Sequence, residues 1–302
     1  MSTPAVRQPR QSVSSSGVAP KSFTLADVVS KSTPQPNRYA LQAGVGFGKT
    51  SFAAYFPSPV VLMTKGETGL LKLIESGQIP ETPHLPEMET WADLLDAVKL
   101  FEEGDHQYKT LVLDTANGAE RLMHEHVCER DFQGDWGERG FMGYMRGYEV
   151  SLADWRLFLN RLDALRVKKG MTILFLMHSR IKTFKNPSGA DYDKYTPEMH
   201  EKTWSLTKGW LDCILFGNFE VTVADNRGRE LDPSKKGKAA ETAARILYTN
   251  SDNPTFEAKN RMGLPDEIDL GANALQGFRN FSEALKKTRK TTEPVKETTN
   301  AQ

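Results

Sequence analysis

The sequence predicts an α/β fold, a mainly parallel β-sheet flanked by helices. Three observations predict it. Near-continuous apolar runs alternate with stretches of helical spacing over most of the chain. A glycine-rich turn, Ala43-Gly44-Val45-Gly46-Phe47-Gly48-Lys49-Thr50, stands between the first apolar run and the first helical run. Further on, Thr110-Leu111-Val112-Leu113-Asp114 is a buried-strand pattern that ends on a carboxylate.

The elements follow in order. Residues 1–36 are rich in Ser, Pro, Val and Gln and read as a disordered N-terminal segment, within which residues 23–29 suit a short helix docked on the core. The core spans residues 37–285. Residues 39–41 form its first strand and residues 51–56 its first helix; residues 60–63 form the next strand. Residues 70–74 and 91–98 carry helical spacing, and the strand ending in Asp114 follows. A longer helix runs through Trp155, Leu157, Phe158, Leu162 and Leu165 and is closed by Gly170, before a strand at residues 172–177. Residues 213–216 and 245–248 read as two more strands, joined by a polar, Lys/Gly-rich loop from about 225 to 238. Residues 286–302 are mostly Lys, Thr and Glu and read as a solvated tail. No internal repeat is apparent.

Composition excludes several classes. Charged residues make up 26% and balance to a formal net charge of zero, which argues against a surface coated in nucleic-acid-binding charge, though not against a local basic patch. Cys128 and Cys213 are too few for a disulfide framework and suit a reducing compartment. No apolar run reaches the ~18 residues of a membrane span, and the N-terminus lacks an apolar signal core. A soluble, cytoplasmic protein with no membrane partner is expected.

The turn carries the chemistry. Glycines let successive backbone N–H groups curl round a phosphate with no Cβ in the way. The backbone of Gly44, Val45, Gly46, Phe47, Gly48, Lys49, Thr50 and Ser51 would cradle the phosphates. Lys49 would reach the β- and γ-phosphates, and Thr50 would place its hydroxyl on Mg²⁺. Asp114 would support the same Mg²⁺, directly or through water. Its plainer alternative is a strand-end aspartate capping a turn. Glu67 follows the second strand, on the edge where ligands of open parallel sheets bind, and would orient the attacking water. It could equally start the next helix; Glu120 is the other candidate for that task. His178, at the end of the strand over residues 172–177, would sense the γ-phosphate or cap backbone groups. His124, His126 and Cys128 suggest a zinc site weakly, because His126 leaves the helix face that the other two share and no fourth ligand is apparent.

Together these residues resemble the RecA-like core of P-loop NTPases, and more closely the phage-encoded ATP-binding proteins that include RecA-like single-strand annealing proteins. The resemblance covers about residues 37–270 and rests on four places: the glycine-rich turn; Leu111-Val112-Leu113-Asp114-Thr115; Phe175-Leu176-Met177-His178-Ser179; and Ala258-Lys259-Asn260-Arg261-Met262-Gly263-Leu264-Pro265. The last is similar to a Lys-Asn-Arg-aromatic-Gly segment of RadA-type relatives, with Met262 in the aromatic place. The resemblance implies an ATPase with ATP and Mg²⁺ as ligands. It also implies a homo-oligomeric ring or filament with nucleotide between subunits, and Lys259 or Arg261 acting in trans on the γ-phosphate. It further implies single-stranded DNA held by two loops, residues 132–148 and residues 179–195. In the second, cations and aromatics interleave, so that Lys182, Phe184 and Lys185 would neutralise phosphates and stack bases.

The expected function is therefore ATP binding and hydrolysis coupled to single-stranded DNA in phage recombination or replication. The alternative is a nucleotide-dependent assembly or regulatory module without DNA contact. A small-molecule P-loop kinase ranks last, since no arginine-bearing lid is evident.

Overall fold

The computed structural model describes residues 23–30, 33–224 and 238–291. Most of the expected N-terminal disordered segment, the polar loop at 225–237 and residues 292–302 lie outside the described residues. The chain divides into two compact units, residues 1–34 and 35–302. In the first, a single 3-10 turn, Leu25–Asp27, stands where a short helix was expected. The Asp27 carboxylate accepts from the Thr24 backbone N–H and hydroxyl at 2.7 and 2.9 Å, and Phe23, Leu25, Val28 and Val29 are exposed.

The second unit runs β1 (Arg38–Ala43), α1 (Lys49–Ala53), β2 (Pro59–Met63), α2 (Gly69–Glu75), α3 (Trp91–Glu103), β3 (Thr110–Asp114), α4 (Ala116–Phe132) and α5 (Arg146–Lys169). It continues through β4 (Thr172–Phe184), β5 (Tyr192–Pro197), α6 (Glu201–Trp210), β6 (Cys213–Ala224), β7 (Lys238–Tyr248), β8 (Lys259–Asn260), β9 (Glu267–Asp269) and α7 (Ala274–Thr291). Among the described residues one sheet joins the nine strands, with the main order β2-β3-β4-β1-β6-β7-β9. The five strands from β2 to β6 in that order pair in parallel. β7 and β9 add antiparallel at one side, and β5 folds back on β4. The sheet is thus mostly parallel and mixed, with helices on both faces.

The continuous apolar strands are explained by that double cover. One face packs under α3, α4 and α5 through Trp91, Trp155 and Phe158. The other packs under α1 and α7 through Phe52, Phe56 and Phe281. Side-chain caps set where helices begin. Thr90 and Asp93 form a capping box on α3, and the Thr115 hydroxyl accepts from the Gly118 N–H at 3.1 Å to start α4; such caps contribute about 1 kcal/mol each. Gly170 ends α5 at a φ of 66°, as its position in the sequence implies.

Three segments differ from the sequence expectation. α5 begins at Arg146 and so takes in the end of the expected loop at 132–148. β4 does not stop at Met177 but runs on to Phe184 and pairs with β5, so the expected second loop is an antiparallel hairpin. α7 continues to Thr291, past residue 286 where a tail was expected, because its apolar face packs on the core, with Phe281 buried and Phe278 and Leu285 partly buried.

Candidate functional site

The chain leaves β1 at Ala43, turns through residues 44–48 and re-enters helix at Lys49. Gly46 and Gly48 hold φ values of 83° and 94°, where a side chain would be strained. Val45 projects from the tip, 87% exposed. Phe47 does the opposite. Its ring fills the space above Gly217 of β6, where an added Cβ would fall 2.3 Å from it, and meets Phe219 edge-on at 5.7 Å. The turn is therefore anchored from inside and open to solvent outside.

The parallel register brings the functional ends together. β4 lies between β1 and β3, with His178 opposite Ala43 and Leu176 opposite Asp114. The turn, His178 and Asp114 thus share the carboxyl edge of three adjacent strands, where ligands of such sheets bind. Glu67 reaches the same edge just beyond β2. Together they line an open cleft of about 1010 Å³.

Lys49 is buried; its amine donates to the carbonyls of Ala43 (3.1 Å) and Gly44 (3.0 Å) and lies 3.3 Å from His178 Nδ1. Burial holds its pKa below the usual lysine value, opposed by Asp114 and Glu67. His178 Nε2 is 3.1 Å from Glu67 Oε1. A neutral imidazole protonated on Nε2 satisfies both contacts: it donates to Glu67 and accepts from Lys49. The His178 hydrogen bond is the main reason that the Glu67 carboxyl sits below its usual range; burial opposes it. The Thr115 hydroxyl reaches the same Glu67 oxygen at 3.4 Å. The Thr50 hydroxyl donates to Asp114 Oδ2 at 2.8 Å. Asp114 is only 4% exposed, and burial pushes its carboxyl up to about 6 against the pull of Thr50.

These donors suit a magnesium ion. A hydroxyl and a buried carboxylate in contact are hard oxygen ligands, and Mg²⁺ typically takes only one or two from protein, with phosphate and water for the rest. Among the described residues no group of three or more His, Cys, Asp or Glu side chains is placed to hold a metal. His124 is a core residue instead, in ring contact with Phe141, Tyr148 and His200, and burial pushes its pKa down to about 4.

Other expected residues lie elsewhere. Glu120 does not line this cleft: its carboxylate accepts from the His200 N–H at 3.1 and 3.0 Å and braces the start of α6. Lys182, Phe184 and Lys185 are exposed on the β4–β5 hairpin and line a separate groove of about 430 Å³. Lys259 and Arg261 do not line the cleft either. The Lys259 amine donates to the carbonyls of Lys208 and Leu211, each at 2.6 Å, capping the end of α6, while Arg261 is exposed.

Sequence reasoning missed two groups here. Asn117 accepts from the His178 backbone N–H through Oδ1 at 3.2 Å, tying α4 to the end of the parallel part of β4. Arg245 lines the cleft from β7. Only the strand pairing reveals it, since Arg245 lies about 200 residues from the turn in sequence and no short motif joins them.

A buried lysine, a hydroxyl–carboxylate pair and a hydrogen-bonded glutamate around a glycine turn can bind a polyphosphate and direct a water onto it. Among the described residues no helix is long and apolar enough to cross a membrane. No curated protein matches the chain. The family model for the AAA domain matches residues 35–262, most of the chain and all of this cleft. The chain therefore belongs to the AAA-domain family of P-loop, nucleotide-binding ATPases.

Proposed function

We propose that this chain is an ATPase of the RecA-like phage type that hydrolyses ATP·Mg²⁺ in the cleft and acts on single-stranded DNA during recombination or replication. The observation that carries the hydrolytic part is the Lys49–His178–Glu67 chain of contacts at the carboxyl edge of the sheet. Lys49 neutralises phosphate charge, Glu67 orients the attacking water, and His178 holds Glu67 and reports on the γ-phosphate. Thr50 and Asp114 would hold Mg²⁺, which supplies further charge neutralisation when bound.

The DNA part rests on the hairpin. Lys182, Phe184, Lys185, Tyr192 and Lys194 interleave there, with the Phe184 and Tyr192 rings 5.2 Å apart. Lys182 is paired with Glu201 and Lys185 with Asp191, both at the surface. Exposed pairs of that kind contribute only ~0–1 kcal/mol, so DNA phosphates can displace them. Those same pairs, with the zero net charge, are what favours the alternative, a nucleotide-dependent assembly module that never meets DNA. In either case Lys259 or Arg261 would approach a neighbouring subunit's nucleotide in a homo-oligomer.

One experiment separates the readings. Lys49→Ala is expected to lose ATP binding and turnover while staying folded; retained turnover refutes the site. Labelled single strands are then titrated with and without ATP at two salt concentrations, with light scattering for assembly mass. ATP-dependent binding that weakens with salt supports the DNA reading. ATP-dependent assembly with no DNA binding at low salt supports the module.

A further inference from the structure

We propose that Arg245 is a second cation of the phosphate-binding turn, contacting the polyphosphate tail of a bound nucleotide from within the same chain. The proposal rests on the nucleotide-binding reading of the cleft and adds a residue to it.

The geometry begins with Phe47. Its ring sits over Gly217 and against Phe219, which holds the turn on the β6–β7 pair. Phe219 pairs in register with Arg245. The result is that Arg245 lies over the turn: a Cβ built on Gly48 would be 3.2 Å from Arg245 Nη1. Gly48 immediately precedes Lys49, so the guanidinium approaches the phosphate-binding backbone itself. Arg245 lines the same cleft as Lys49, Thr50 and Asp114.

Arg245 has little else to do. Its Nη2 donates to the Gly271 carbonyl at 3.2 Å. Among the described residues no carboxylate forms an ion pair with it. Other part-buried arginines of this chain are paired. Arg38 bonds Asp212 at 2.7 Å and Asp163 at 3.2 Å, and Arg166 bonds Asp163 at 3.2 Å. A part-buried guanidinium without a counter-charge is costly. Its planar fork matches phosphate oxygens two at a time. The anion that would complete it is the one for which the turn beside it is shaped.

The partner is thus the phosphate chain and not the base. The test measures affinities of the wild-type chain, Arg245→Gln and Arg245→Lys for a non-hydrolysable ATP analogue with Mg²⁺ and for tripolyphosphate as competitor. Thermal melts check folding. Arg245→Gln is expected to weaken both ligands by about tenfold or more, as for loss of a charge-assisted contact. Arg245→Lys, which keeps the charge but not the fork, is expected to lose less. In the wild-type chain the analogue should also protect Arg245 from phenylglyoxal, read by peptide mass; this arm needs no variant to fold. Unchanged affinities with equal labelling overturn the proposal. Weakened analogue with unchanged tripolyphosphate also overturns it, assigning Arg245 to the nucleoside. A wild-type chain that binds neither ligand removes the nucleotide reading itself. Wild-type binding with an unaffected Arg245→Gln removes Arg245 alone.

Discussion

Replacing Asp114 by asparagine tests the metal site through stability as well as activity. Without ligand, Asp114 is 4% exposed and its carboxyl is pushed from 3.8 to about 6, chiefly by burial. The folded chain therefore holds this proton more tightly than the unfolded one. The contribution of Asp114 to stability is full below about pH 4 and is lost as pH rises through about 6. A rise of roughly two pKa units corresponds to ~3 kcal/mol. Asparagine keeps an acceptor for the Thr50 hydroxyl, so that hydrogen bond survives. Ligand-free Asp114→Asn should then be more stable than wild type at pH 8, by about 1–3 kcal/mol. In a domain of this size that is roughly 3–10 °C in Tm. The difference should close toward pH 4. Saturating Mg²⁺ with a non-hydrolysable ATP analogue should reverse the ranking, because only the wild type gains the full binding free energy. The assay is differential scanning fluorimetry from pH 4 to 8, with and without ligand. A variant that melts at or below wild type at pH 8 refutes the burial argument. A variant that gains as much from Mg²⁺ and analogue as wild type refutes the metal role.

Two further outcomes follow from the same geometry. Glu67→Gln should bind ATP about as well as wild type yet lose about a hundredfold or more in phosphate release, the usual scale for a base or water-orienting group; full turnover would move that role to another residue. Glu120→Gln isolates the other buried carboxylate. Burial pushes Glu120 up to about 7, so its contribution to stability is full below about pH 4.5 and lost as pH rises through about 7. The variant should exceed wild type at pH 8 by up to ~3 kcal/mol, match it near pH 4.5 and turn over ATP normally. A uniform destabilisation would show instead that the bonds to His200 dominate.

What was legible in the sequence is what local pattern encodes. The glycine turn, Lys49, Thr50 and Asp114 announce themselves by residue type within local motifs, and the Lys49 contact with Ala43 follows the strand–turn–helix pattern. Glu67 and His178 were legible by position, because each follows an apolar run of a sheet whose carboxyl edge binds ligands. The β4–β5 hairpin was not. Its apolar run stops at Met177, and the polar extension is held by pairing with a strand that has no apolar alternation of its own. Lys259 reads as a free basic turn until α6 is in place, since its partners are carbonyls at a helix end. Arg245 was the least legible, because its nearness to Gly48 depends on Phe47 crossing to Gly217 and on the β6–β7 register. Chemistry carried by neighbours in sequence could be read; chemistry carried by strand pairing could not.

Lys49 and Glu67 already have partners within the cleft, and this bears on how it binds. The Lys49 amine is occupied by two backbone carbonyls and His178, and Glu67 by His178 and Thr115. A phosphate at the turn must therefore compete for Lys49 with neutral acceptors, an exchange that favours a charged ligand, since hydrogen bonds between ions are roughly twice as strong. Thr50 needs no such exchange. Its proton is already committed to Asp114, which leaves its lone pairs free for a cation. A bound cation would also lower the cost of keeping Asp114 ionised, reversing the burial effect that now raises its pKa. Metal and carboxylate thus favour each other, and Mg²⁺ should bind more weakly below about pH 6, where Asp114 takes up its proton.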